Sequence, residues 1–109
     1  MKYLMWVCHD PTVEPSPGGY TIDEWVAEMD GRGVRLEGEP LGSPGAARVV
    51  RKRADGEVLV SDGPYAETKE QLAGFDILDC VDLAEAIEVA SKHPMARRGA
   101  MELRPFWED

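Results

Sequence analysis

Residues 2–8 constrain the fold more than any other segment. Leu4, Trp6 and Cys8 alternate there with Tyr3, Met5 and Val7, so the run is apolar on both faces. A strand of that kind belongs in the middle of a sheet that is covered on both sides. Whatever else the chain forms must supply those two covers.

The remaining elements follow from local signals. Residues 10–19 hold three prolines and two glycines and read as a loop. Thr21 with Glu24 matches the reciprocal capping pattern of a helix start. Ile22, Trp25, Val26 and Met29 then fall on one helical face. Gly31 and Gly33 stop the helix. Val34–Leu41 reads as a second strand, and residues 42–45 as a turn. Asp55-Gly56 between 47–53 and 57–61 predicts a hairpin. Its heavily charged first arm suggests that it projects from the core. Residues 62–71 are polar and loop-like, and 72–80 is another central strand. Asp82 and Glu85 open a second helix with Leu83, Ala86, Ile87 and Ala90 on one face. That helix ends near His93, because a residue before proline disfavours helical geometry. Residues 100–107 form the last strand, Met101 and Leu103 on one side, Glu102 and Arg104 on the other.

The order is strand, helix, strand, hairpin, strand, helix, strand. It predicts an α+β fold of ferredoxin-like type, βαββαβ with an inserted β-hairpin, in one domain over residues 1–109. The sheet is antiparallel and covered by two helices. Two helices cover only one face, so the other cover is most simply a second copy of the sheet. A homodimer is the expected partner state.

Charge removes several function classes. The chain carries 12 basic and 21 acidic side chains, net −9, and residues 55–109 account for −8 of it. A nucleic-acid binder needs a basic surface, so no nucleic-acid partner is expected. Arg48, Arg51, Lys52 and Arg53 read as a solvated hairpin strand. No stretch approaches the ~20 apolar residues of a membrane span. The apolar start is too short for a signal-peptide core. A soluble, cytoplasmic protein without membrane partners is expected. Cys8 and Cys80 sit in apolar runs, as small buried hydrophobes do in a reducing compartment. Two Cys and two His do not make a metal framework. With no phosphate loop, nucleotide fingerprint or serine triad, no metal and no cofactor are expected.

The segment Asp62-Gly63-Pro64-Tyr65-Ala66-Glu67-Thr68-Lys69-Glu70-Gln71-Leu72-Ala73-Gly74-Phe75 resembles the signature of the DGPF proteins, part of the YCII-related family. The resemblance extends to the first strand (Met1–Met5), to Ala90, His93 and Pro94, and to the closing Met101–Phe106. It departs at Tyr65, where the family has phenylalanine, and at Ala73, where it has glycine. It implies a dimeric α/β-barrel fold. It also implies a few lyase- or dehydrochlorinase-like relatives acting on small ring compounds, beside many of unknown activity often encoded near alternative sigma factors. Related proteins carry a helix histidine proposed as catalytic, whereas no histidine lies between Thr21 and Gly33 here. Where those proteins place an aspartate before the proline after the second helix, this chain has His93.

His93 is the foremost candidate for proton transfer, since its ordinary pKa lies near neutrality. A role as a cation at the helix C-terminus explains it as well. Asp62 and Glu67 join it as catalytic candidates. Asp62 also fits a plain turn, and Glu67, Lys69 and Glu70 a solvated charged loop. Tyr65, Lys69, Glu70, Arg104 and His9 are the ligand-binding candidates. Arg104 either reaches a bound carboxylate or pairs with an acid such as Asp76, and His9 also fits an exposed strand end. Two functions stay open. One is cofactor-free acid–base chemistry, elimination or isomerisation, on a small polar or aromatic compound. The other is a non-catalytic small-ligand-binding or regulatory module linked to stress-type transcription.

Overall fold

The computed structural model describes residues 1–14, 18–65 and 72–108. Strand β1 (Lys2–His9) is followed by α1 (Ile22–Gly31) and β2 (Arg35–Pro40). The hairpin strands β3 (Arg48–Lys52) and β4 (Val58–Asp62) come next, then β5 (Leu72–Asp79), α2 (Leu83–Lys92), a 3-10 turn (Pro94–Arg97) and β6 (Gly99–Pro105). Four strands form one sheet in the order β2-β5-β1-β6. Every neighbouring pair is antiparallel. This is the ferredoxin-like order; among the described residues β3 and β4 pair with each other in a separate ribbon.

β1 takes the central place its apolar faces demand. Tyr3, Met5 and Val7 are buried against the helices, and Leu4, Trp6 and Cys8 are half-buried on the other face. The core closes around Met5, Trp25, Met29, Leu78 and Val89, all fully buried. Trp25 ties the two helices together, since its Nε1–H donates to the Val89 carbonyl at 3.0 Å. At the surface Arg32 reaches Glu28 and Glu88 at 3.0 and 2.8 Å, and Lys92 reaches Glu28 at 2.7 Å. The described residues span 50 × 40 × 19 Å. A thickness of 19 Å holds one sheet and one helix layer, each roughly 10 Å deep, and among the described residues no second layer lies on the other sheet face.

The helix starts form as their sequences dictate. The Thr21 hydroxyl accepts from Glu24 N–H, and the Glu24 carboxylate accepts from Thr21 N–H. Asp82 accepts from Glu85 N–H at 2.9 Å, but Glu85 reaches back to Val81 N–H, one residue before the cap. The buried face of α2 differs from the expected one. Ala86, Val89 and Ala90 are buried, whereas Leu83 and Ile87 are half-exposed. Two sets of positions at helical spacing overlap at Ala86 and Ala90, one continuing through Leu83 and Ile87, the other through Val89 and His93. Periodicity alone does not choose between them; packing on the sheet selects the second. The hairpin turn follows its Asp-Gly signal: Asp55 accepts from Glu57 N–H at 2.8 Å, and Gly56 adopts φ +92°, open to glycine without strain.

Candidate functional site

A cleft of about 380 Å³ opens between α1, the β2–β5 edge of the sheet and the turn after α2. Val7, Ile22, Val26, Pro40 and Met95 make its apolar walls. Ile22, left half-exposed at the start of α1, is one of them. Four polar residues line the same cleft, Arg35, Glu39, Asp76 and His93; Glu39 alternates with Gly38 onto the opposite face of β2, which leaves Arg35, Asp76 and His93 as the polar groups on the helix side.

Asp76 interrupts the apolar strand β5 and faces the helices at the level of Met5. Its neighbour on β2 is Gly38. A Cβ at position 38 would lie 2.0 Å from Asp76 Oδ1, so only glycine leaves room for the carboxylate. Arg35 Nε donates to Asp76 Oδ1 at 2.9 Å. Its two other nitrogens donate to the Gly38 carbonyl at 3.0 Å and to Asp30 at 3.2 Å. The guanidinium is thereby committed to three acceptors. Burial pushes the Asp76 carboxyl above its ordinary pKa, and the hydrogen bond and charge of Arg35 only partly reverse it. Burial also works against the charge on Arg35, but its bonds to Asp76 and Asp30 outweigh that and hold its pKa up. The two responses differ because the Asp76 side chain is 8% exposed and that of Arg35 18%. The acid bears more of the desolvation cost than its partner.

His93 is 4% exposed, with its ring edge-on to Trp25 at 4.7 Å. Burial lowers its pKa to about 4. The imidazole is therefore neutral at pH 7, and attraction of a cation to the helix end does not explain its position. Instead Nδ1 accepts from Met95 N–H at 3.0 Å and caps the following 3-10 turn. An acceptor Nδ1 puts the imidazole proton on Nε2, and no hydrogen bond among the described residues engages that nitrogen.

The other sequence candidates do not gather here. Asp62 closes β4 on the hairpin, its side chain 91% exposed and 3.6 Å from Arg48. Tyr65 is exposed beneath the Arg51 guanidinium, 5.1 Å from its ring centre. It lines a second hollow of about 690 Å³ with Leu41, Pro44, Val49 and Pro64. His9 is exposed at the end of β1. Arg104 lies opposite Leu4 on the bare face of the sheet, so its expected pairing with Asp76 does not occur; Asp76 faces the helices and pairs with Arg35. Glu67, Lys69 and Glu70 lie outside the described residues. The sequence carried a signal for Asp76 that spacing motifs missed: a lone acid inside an otherwise apolar central strand must find a partner. Arg35 gives no such signal, because its role depends on the pairing of β2 with β5. Among the described residues no group of three or more His, Cys, Asp or Glu is arranged to hold a metal ion. No helix among them is long and apolar enough to cross a membrane.

The family model of the YCII-related domain matches residues 1–108. The chain belongs to the YCII-related family. An uncharacterised protein of Rhizobium meliloti (strain 1021) is 44% identical to it over 65 residues, 58% of this chain and 52% of that protein. The YCII-related chain thus matches about half the length of that relative. Among solved structures it is similar to a 5-chloro-2-hydroxyhydroquinone dehydrochlorinase from Burkholderia phenoliruptrix in complex with 2,5-dihydroxybenzoquinone. That similarity has a TM-score of 0.51 at 12% identity and covers 100% of this chain and 96% of the other. At that identity it speaks for the fold.

Proposed function

We propose that this single-domain YCII-related protein performs cofactor-free acid–base chemistry on a small, mainly apolar ring compound held in the His93–Asp76 cleft. The observation that carries this reading is the pairing of opposite perturbations in one apolar pocket. A histidine kept neutral can donate a hydrogen bond without carrying charge, and a carboxyl pushed upward is a stronger base than an ordinary carboxylate. Neutral His93, with its proton on Nε2, suits donation of a hydrogen bond to a ligand oxygen. Such a donor stabilises negative charge that develops on that oxygen when a neighbouring C–H is deprotonated. Asp76 suits the proton transfer itself, because only its Oδ1 is committed to Arg35. Arg35 positions that carboxylate. The dehydrochlorinase neighbour, bound to a dihydroxylated ring, is compatible with a ligand of this kind.

A second reading, binding without turnover, is favoured by one observation. Arg35 already matches the Asp76 charge, so the pair is sufficient as a structural clamp beneath a ligand. Under either reading two copies pair through the bare sheet face, where Leu4, Trp6, Phe75 and Ile77 are half-buried.

The test is to incubate the protein with hydroxylated rings, quinones and small cyclic ketones in D₂O. Thermal shift reads binding, and proton NMR of the compound reads C–H exchange. Catalysis predicts a compound that binds and exchanges with the wild type, and binds without exchanging with Asp76→Asn. Binding with no exchange by the wild type establishes the second reading. Absence of binding across the set contradicts both.

A further inference from the structure

The inserted hairpin lacks the cover that its composition calls for. Among the described residues β3 and β4 pair only with each other. One face of the ribbon carries Val50 opposite Val60 and Lys52 opposite Val58. The three valines are 65%, 63% and 57% exposed for Val50, Val60 and Val58. An isolated two-stranded ribbon is marginal in water, and β-branched residues on an open face gain nothing until something packs on them.

The charge on this ribbon names its cover. Residues 48–53 hold four basic side chains and no acidic one, and residues 48–62 as a whole carry +1 on a chain of −9. A positive arm on a strongly negative body is complementary to another copy of that body. The body also offers a landing place. Glu37 and Glu39 stand exposed on the edge strand β2, in register with Ile77 and Phe75 of the bare sheet face. Neither carboxylate has an ion-pair partner among the described residues, and neither does Lys52 on the valine face of the arm.

We infer that the hairpin is a clasping arm: beside the paired sheet faces its valine face docks along the β2 margin of a second copy, with Lys52 set against Glu37 and Glu39 of that copy. The inference rests on the pairing of sheets proposed above and adds to it a specific contact made by the hairpin. Under two-fold symmetry each arm contact occurs twice, so a single substitution is felt at two places.

The experiment is sedimentation velocity over a concentration series, with circular dichroism to confirm folding. The variants are Val60→Asp, Lys52→Glu, Glu37→Lys, the double exchange Lys52→Glu/Glu37→Lys, and Trp6→Glu on the sheet face. The wild type should be a dimer at micromolar concentration. Val60→Asp and Lys52→Glu should each raise the dissociation constant at least tenfold while melting as folded proteins, and the double exchange should recover most of that loss. A wild-type dimer that Trp6→Glu breaks, but that all arm variants form with unchanged affinity, overturns the arm and leaves the paired sheets standing. A wild type that is monomeric overturns both.

Discussion

The cleft and the hairpin are built from the same kind of sequence and have opposite fates. Both rest on short strands with apolar residues at alternate positions. In the cleft, β5 is flanked by β1 and β2 and roofed by two helices, so its alternation becomes burial. Even its charged residue, Asp76, is drawn under cover and must be matched by Arg35 from a strand 41 residues away. In the hairpin the alternation finds no cover among the described residues, and Val50, Val58 and Val60 stand exposed. The difference teaches that alternation states only which side wants cover. What supplies the cover is settled by long-range pairing, within the chain for the cleft and, in our reading, between chains for the hairpin.

Substitutions can break this contrast, and the largest effect is expected beside the cleft. Trp25→Ala removes a fully buried side chain and its bond to Val89. It should cost about 3–5 kcal/mol in urea denaturation, whereas a loss below about 1 kcal/mol would mean that the two helices are not locked onto the sheet.

Acidification comes next. His93 is neutral in the fold down to about pH 4 and has an ordinary pKa of 6.5 when unfolded. Its contribution is complete above pH 6.5 and is lost as pH falls toward 4, because the unfolded chain binds the proton first. The loss is on the order of 3 kcal/mol. Asp76, whose pKa is raised by burial, acts in the opposite sense over the acidic part of this range. The histidine share is therefore the difference in stability-versus-pH slope between the wild type and His93→Gln. Equal slopes would contradict a buried neutral imidazole.

Gly38→Ala should cost about 1–3 kcal/mol, since the added methyl displaces Asp76 Oδ1 and loosens a buried charge pair. It should also abolish ligand binding in the thermal-shift assay. The smallest effect belongs to the arm: Val60→Ala should change the stability of the isolated monomer by no more than about 0.5 kcal/mol. A larger loss would show that the valine face is already covered by its own chain.

Much of the fold was legible because its signals are local. Thr21 with Glu24 marks a helix start within four residues, Asp55-Gly56 marks a hairpin, and the doubly apolar β1 demands the centre of the sheet. The α2 face was not legible. Leu83 with Ile87, and Val89 with His93, are equally good helical stripes around Ala86 and Ala90, and only the sheet beneath decides. The site was half legible. His93 stood out as a titratable residue beside Pro94, yet its neutrality comes from Trp25 and the burial around it, which no spacing reveals. The Asp76–Arg35 pair needed the register of β2 against β5. Asp62 and Tyr65 stood out through the resemblance, and they lie on the hairpin and its adjoining hollow, apart from the histidine.

The most direct measurement of the cleft is an NMR pH titration of His93 imidazole in a His9→Gln background, where it is the sole histidine. The account predicts a neutral ring, protonated on Nε2, that persists to about pH 4. A ring that takes up its proton near pH 6.5 would place His93 in water and remove the perturbed pair on which the proposed chemistry stands.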